Sequence, residues 1–516
     1  MTSAETAVPR PQRAPALLDA AAVAPPMIRG SRTGVMAVLG LCGAALAIRL
    51  VTLLLTIDIT GDGPTRATQA YAWSKSPYFA THGVWLPGFT YWAGAATVVV
   101  HDPLLGPRLL NVMLGTLTVP LFYALVRRLH GRDAAWLSAA ILVVLPLHVG
   151  LSVSSLTEPS FLFFMVAALV ALMWIFDGDS RSTVRVGVFL VCFVFAEMTR
   201  YEAWLLMPLV VAYFFWRDRR VSTTVVVTVA LLLFPLGWSV GNYLAHGNPL
   251  YGLLLGVQPL EGGHPVAVWP AILEVGRQSA RHLGWLLPVA ALWGILVGLA
   301  RMLRGTLNTE QTFYALLVCA LWASNLRIAQ ALGPALYDRY LLFGYVIALP
   351  FACAGLLDSL RRYRHGMLLS VLVALGSVGV AYAVYAPQTF VTRTQPTDIV
   401  QLARWLPNSP YRDAAVVLTK MDWQSSYLPL YRPQLAGRSF IVSVWVNDDA
   451  LEHFIREQKP ALLITSTDDA AYRERVERIL GHAIRVDAPA QVFGALQVYD
   501  LTPRTAGDGR TSGTPE

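Results

Sequence analysis

The sequence predicts a mainly α-helical polytopic membrane protein: about eleven transmembrane helices, further helices on the outer membrane surface, and a small C-terminal α/β domain. Three observations predict it. Of 516 residues, 55% are hydrophobic and only 14% are charged, where a soluble domain carries about a quarter. Apolar runs recur between residues 34 and 386, several near the roughly 20 residues that cross a bilayer. Beyond 386, short apolar strands alternate with amphipathic stretches.

Residues 1–33 are rich in Ala and Pro with scattered Arg and no hydrophobic core, which predicts a disordered cytoplasmic tail. The transmembrane domain, 34–386, has apolar runs near 34–57, 105–126, 134–151, 159–176, 184–199, 202–216, 221–240, 284–300, 311–331, 338–357 and 366–386. With the N-terminus inside, the inner loops hold Arg127, Arg128 and Arg132; Arg181 and Arg185; Arg217, Arg219 and Arg220; Arg301 and Arg304; and Arg361, Arg362 and Arg364. The outer connections are poorer in cations, as the positive-inside rule requires. The run Leu86–Val100 is short, with Pro87, Gly88 and interfacial Trp85 and Trp92. Counting it as a span would put every later Arg-rich loop outside. It is therefore read as a surface helix within an outer loop, 58–104.

The same parity places 387–502 outside. Ala414–Leu418, Phe440–Trp445, Ala461–Thr465 and Leu496–Tyr499 read as strands, and Asp449–Gln458 and Ala471–Leu480 as helices between them. No Gly-rich phosphate loop occurs there. Residues 503–516 read as a second disordered tail.

Lysine is confined to Lys75, Lys420 and Lys459, so the net charge of +8 rests on Arg. Its placement in loops marks membrane orientation and gives no nucleic-acid partner. The bias toward Arg is associated with GC-rich bacterial genomes, which suggests a bacterial inner membrane. Cys42, Cys192, Cys319 and Cys353 all lie in apolar runs, with no disulfide framework or metal spacing.

Polar groups gather on the outer face. The first loop supplies Asp58, Asp62, Arg66, Lys75, His82 and Trp85. The later outer turns supply Ser154, Ser155, Thr157 and Glu158; then Arg200, Tyr201 and Glu202; then Asn242, His246, Asn248, Tyr251 and His264; and finally Tyr337, Asp338, Arg339 and Tyr340. Ionisable groups near membrane depth are costly and mark sites by default. Each also has a structural use. Gly61, Asp62, Gly63 and Pro64 suit a tight turn. Thr157 or Glu158 suits a helix cap. Arg200 and Glu202 can pair with each other, and Arg339 with Tyr340 can anchor at the interface. The histidines lack metal-ligand spacing.

Several segments carry a resemblance in order: Asp62 after the first span, Trp85-Leu-Pro-Gly88 and Tyr91-Trp92, Pro107-Arg-Leu-Leu-Asn-Val-Met-Leu-Gly115, Thr157-Glu158-Pro159, Tyr243-Leu-Ala-His-Gly-Asn-Pro-Leu-Tyr251 and Asp338-Arg-Tyr-Leu341. The set resembles the C-type glycosyltransferases that use polyprenyl-phosphate sugars, within the group holding protein O-mannosyltransferases, the lipid A aminoarabinose transferase and lipopolysaccharide galacturonosyltransferases. The resemblance implies the C-type fold and transfer of a sugar from a polyprenyl phosphate to an acceptor glycan, lipid or protein on the outer face, with inversion. It implies Asp62 as base or acceptor-orienting group, Glu158 as a second catalytic carboxylate, and Arg339 facing the donor phosphate. Two departures stand out. Gly63 takes the place of a second acidic residue, and Trp85-Leu-Pro lacks the Lys that opens the surface helix in the aminoarabinose transferase. Phosphate contact then falls to Arg66, Lys75, Arg339 and Tyr340, and acceptor contact to His82, Trp85, Arg200, Glu202 and His246.

The chemistry has its own logic. A sugar outside the cell membrane arrives activated on a lipid. An acceptor hydroxyl needs a carboxylate base, worth about 10²–10⁴-fold, and the leaving phosphate needs fixed cations. No metal ligand set is evident; a divalent cation shared by Asp62 and Glu158 stays open. The rival readings are a transporter, or a binder of lipid-linked glycans without catalysis. A transporter places its charges near the midplane, often within repeats. Here they sit at span ends on one side.

Overall fold

The computed structural model describes residues 32–56, 62–177, 183–256 and 264–386, and of the C-terminal part 397–419, 428, 432, 435, 438–442, 448–466, 470–481, 489–494 and 496–501. The expected tails, apart from Arg32, Thr33 and their neighbours in the first helix, lie outside the described residues, as does Asp58.

The helices in order are α1 (Arg32–Leu55), α2 (Asp62–Lys75), α3 (Gly88–Val100), α4 (Leu105–His130), α5 (Arg132–Val144), α6 (Pro146–Ser152), α7 (Glu158–Ile175), α8 (Thr183–Glu197), α9 (Glu202–Asp218) and α10 (Val221–His246). There follow α11 (Tyr251–Gly256), α12 (Val268–Leu283), α13 (Leu286–Leu303), α14 (Thr309–Leu332), α15 (Leu342–Leu360) and α16 (Gly366–Ala386). Among the described residues, eight helices are long and apolar enough to cross a membrane, or nine when the bent pair α5–α6 is one span. That pair breaks by 56° where Pro146 opens α6, because proline cannot donate to the preceding turn. The two remaining expected spans are α8 and α9, with 15 and 17 residues. At 1.5 Å per residue they reach only about 22–26 Å, short of the roughly 30 Å hydrocarbon core. The chain is a multi-pass membrane protein.

The first outer loop differs from expectation. Residues read as a polar turn instead start a 14-residue helix, α2, with Asp62 in its first turn and Lys75 in its last. Both charges suit the helix dipole. Pro64 is tolerated because the first turn has no N–H partner to lose. The surface helix expected over Leu86–Val100 is α3. At 13 residues it is too short to span. It packs on α2 and α4 through Phe89 and Ala93. A Cβ on Gly94 would run into the Trp73 ring, so only glycine permits that approach.

Two helices form the centre. In α7, 78% of the apolar window is buried, and 83% in the span Asp338–Leu360 that contains α15. Glu158 opens α7, and Arg339 lies in the turn that leads into α15, so both groups stand at the end of the buried centre of the bundle.

The C-terminal part has α17 (Thr397–Trp405), β1 (Val416–Leu418), β2 (Ser439–Ile441), α18 (Asp448–Gln458), β3 (Leu462–Ser466), α19 (Ala470–Leu480), β4 (Gln491–Phe493) and β5 (Leu496–Asp500). The sheet order is β2-β1-β3-β5-β4. The first two ladders are parallel, with Val416 opposite Ser439 and Leu462; the last two are antiparallel. Leu402, Val416, Leu418 and Ile464 cover one face together with Ala67 of α2, while Val417, Leu451, Leu463 and Val476 cover the other. The domain thus rests on the same helix that carries Asp62.

Candidate active site

The turn before α7 is held by the segment 107–115 that the sequence singled out. Arg108 is buried and donates from Nε to the Val153 carbonyl (2.7 Å) and from Nη2 to the Thr56 carbonyl (2.6 Å). Asn111 Nδ2 donates to the carbonyls of Ser154 and Leu156, both at 2.7 Å, and its Oδ1 accepts from the Ser160 hydroxyl at 2.9 Å. These bonds satisfy backbone groups that burial would otherwise strand, and they fix where Glu158 leaves the chain. Thr157 occupies the cap position without a side-chain cap bond. Glu158 turns to a guanidinium.

That guanidinium is Arg200. Its Nη1 lies 2.5 Å from Glu158 Oε1, and its Nη2 lies 2.6 Å from Glu202 Oε1. Arg339 pairs with Asp62, and its Nε stands 3.8 Å from Glu158 Oε1. Arg66 sits one turn along α2 from Asp62, with its guanidinium 4.3 Å over the Trp85 ring. Its buried Nε has no hydrogen-bond partner among the described residues. The Tyr340 ring lies 5.5 Å from the guanidinium carbons of both Arg200 and Arg339. Three carboxylates and three guanidiniums thus meet in one cluster, and Glu158, Arg200, Glu202, Arg339 and Tyr340 of that cluster line a narrow cleft.

The cluster settles the charge state of its members outside the spans. Burial by itself would raise the Asp62 carboxyl, but Arg339 and Arg66 overcome it and hold the group below its ordinary value. Asp62 is an anion at neutral pH. Burial lowers the Arg66 guanidinium, opposed by Asp62 and Glu158, and it remains a cation at neutral pH. Burial also works against charge on Arg200, yet Glu202 and Glu158 more than compensate and raise it.

Of the groups predicted from sequence, Asp62, Arg66, Trp85, Glu158, Arg200, Glu202, Arg339 and Tyr340 come together. Lys75 does not. It ends α2, about 20 Å along the helix from Asp62, and lies over Tyr71. His82 and His246 form a separate platform, with ring centroids 5.4 Å apart and His246 stacked 3.9 Å from Tyr251. The platform joins the cluster through the loop 81–85, where the Gly83 N–H donates to Asn242 Oδ1 (2.9 Å). Among the described residues, no three His, Cys, Asp or Glu side chains gather to hold a metal. Asp62 and Glu158 each face a guanidinium instead of each other.

Sequence reasoning missed His282. Fully buried at the end of α12, it lies 3.2 Å from Asp338, whose other oxygen accepts the Arg339 N–H at 2.9 Å. This pair fixes the short 3₁₀ turn Asp338–Leu341 that aims Arg339. A lone histidine on an amphipathic helix carries no spacing signal toward Asp338.

Residues 76–240 match the family model of dolichyl-phosphate-mannose-protein mannosyltransferase, a stretch that includes Glu158, Arg200 and Glu202. The fold is similar to that of ArnT from Cupriavidus metallidurans bound to undecaprenyl phosphate, at 15% identity and TM-score 0.62, over 92% of this chain and 99% of that one. The chain shares the fold of ArnT over nearly its whole length. The same ArnT in the apo state matches at 15% identity and TM-score 0.61, over 91% and 98% of the two chains. The archaeal oligosaccharyltransferase AglB from Archaeoglobus fulgidus, in complex with an inhibitory peptide and a dolichol-phosphate, matches this chain at 11% identity and TM-score 0.59, over 88% and 72%. No curated protein matches the chain by sequence.

Proposed function

We propose that this protein is a membrane glycosyltransferase that moves a sugar from a polyprenyl phosphate to an acceptor glycan, lipid or protein on the extracytoplasmic face of a bacterial inner membrane, with inversion. The observation that carries the reading is the Asp62 carboxylate, kept ionised beside the Arg339 and Arg66 guanidiniums. A base and phosphate-binding cations stand within one cluster of charges. The undecaprenyl phosphate in one structural neighbour and the dolichol-phosphate in another support a lipid-linked donor.

In this mechanism Asp62 accepts the proton of the acceptor hydroxyl or amine. The acceptor atom bonds to the anomeric carbon from the face opposite the phosphate, and the carbon–oxygen bond to phosphate breaks. The phosphate leaves with that electron pair, passing from diester to monoester and gaining negative charge. Arg339 exchanges the Asp62 carboxylate for this phosphate, and Arg66 offers its unpartnered Nε nearby; fixed cations at developing charge stabilise the transition state. Glu158, held by Arg200, orients the acceptor and keeps Arg339 in place. His82, His246 and Trp85 present ring faces and edges suited to a sugar acceptor.

The test is mass spectrometry of polyprenyl-phosphate lipids from cells lacking the protein. A hexosyl or pentosyl lipid should accumulate and be cleared by wild type but not by Asp62→Asn. Clearance by both overturns the site assignment.

A further inference from the structure

A cavity of about 450 Å³ lies at the opposite end of the bundle from the carboxylate–arginine cluster. It forms where α13, α15 and the C-terminus of α4 meet the first turn of α14. One wall is apolar, with Trp293 and Phe351; the rim carries Arg301, Arg362, His130 and Asp358. The glycines that bring α13 against α15 set its depth. A Cβ on Gly294 would run into the Phe351 carbonyl oxygen, so the seam closes completely on that side and the space opens beside it.

We infer that this cavity binds the phosphate headgroup of an anionic phospholipid in the leaflet opposite the transferase site. Charge points there. Asp358 is already shared between Arg301 (3.2 Å) and Arg361 (3.8 Å), so the rim keeps a cationic surplus with Arg362. His130 adds a buried Nε2 that has no hydrogen-bond partner among the described residues, a donor in one tautomer. Apolar surface points to a lipid over a free anion. Leu292, Trp293 and Leu296 of α13 are exposed on the surface leading to the rim, a track for acyl chains that inorganic phosphate would leave unused. Basic pockets between transmembrane helices bind acidic headgroups on this principle.

The experiment is native mass spectrometry of the full-length protein in detergent, titrated with phosphatidylglycerol, with phosphatidylcholine, or with inorganic phosphate as competitor. Wild type should hold phosphatidylglycerol in preference to phosphatidylcholine. The double variant Arg301→Gln/Arg362→Gln should lose about thirtyfold in affinity, at roughly 1 kcal/mol per arginine. Both side chains are solvent-exposed, so the variant should keep the wild-type melting temperature and sugar-transfer rate. Arg304→Gln, outside the cavity, should bind as wild type does. Equal binding by the double variant overturns the site. So does equal binding of phosphatidylcholine, which would mean apolar packing alone, or full displacement by millimolar phosphate, which would mean a free-anion site.

Discussion

Asp62→Asn separates chemistry from stability in this protein. Asparagine preserves the side-chain shape and removes the charge. The Asp62 side chain is 36% exposed and its partner Arg339 9%, so the pair is worth more than the about 0–1 kcal/mol of a surface ion pair and less than the about 3–5 kcal/mol of a fully buried one. Arg339 also retains Glu158 at 3.8 Å. The melting temperature should therefore fall only modestly. Loss of a general base lowers turnover about 10²–10⁴-fold, equivalent to roughly 2.7–5.5 kcal/mol of barrier. Glu158→Gln should behave differently. Glu158 is 5% exposed and its partner Arg200 11%, and breaking a buried pair costs about 3–5 kcal/mol. Glu202 keeps hold of Arg200 at 2.6 Å, which brings the cost below that range but above that of Asp62→Asn. Donor lipid purified from cells lacking the protein supplies substrate whichever sugar it carries. Its consumption by each purified variant, alongside a melting curve, reads both quantities. Turnover by Asp62→Asn within tenfold of wild type would refute the base. Equal loss of melting temperature in the two variants would refute the division between a half-buried and a buried carboxylate.

Arg339→Ala should raise the KM for donor lipid more than Arg339→Lys does, because a planar guanidinium grips phosphate bidentately; equal values would show that only charge matters. The acid limb of kcat/KM should lie below the ordinary carboxylate value, since Asp62 is held down and loses its basicity only when pH falls through that lowered pKa. Arg66→Gln removes one of the charges responsible, so the limb should shift upward, and an unmoved limb would mean that another group titrates. Asn111→Leu strands the carbonyls of Ser154 and Leu156, at about 1–3 kcal/mol for each buried group. It should lower both thermal stability and turnover, and a change in neither would disconnect that segment from Glu158.

Much of this was legible in the chain because the signals are local. Apolar runs report burial and membrane-crossing length within a few residues. Four of the five strands were visible, while β4, three residues long with two of them exposed, had too little apolar pattern to stand out. The first outer helix was misread because Gly-Asp-Gly-Pro is the vocabulary of turns. Its helical state depends on Ala67 and Ala70 finding buried surfaces, which periodicity over so polar a stretch does not show. Lys75 looked as good a phosphate ligand as Arg66 until the helix carried the two apart.

The sequence by itself determined the membrane class, the order of the apolar segments, the C-terminal α/β region and the candidate polar residues. All of these follow from composition and short-range pattern. Only the tertiary structure decided which of those residues meet. Asp62 and Arg339 stand 277 positions apart, and Glu158 and Arg200 stand 42 apart. Their pairing depends on two buried central helices ending at the same depth, on Asn111 fixing one turn and on His282 and Asp338 fixing another. Packing sets those heights and angles, and no local pattern in the chain encodes them.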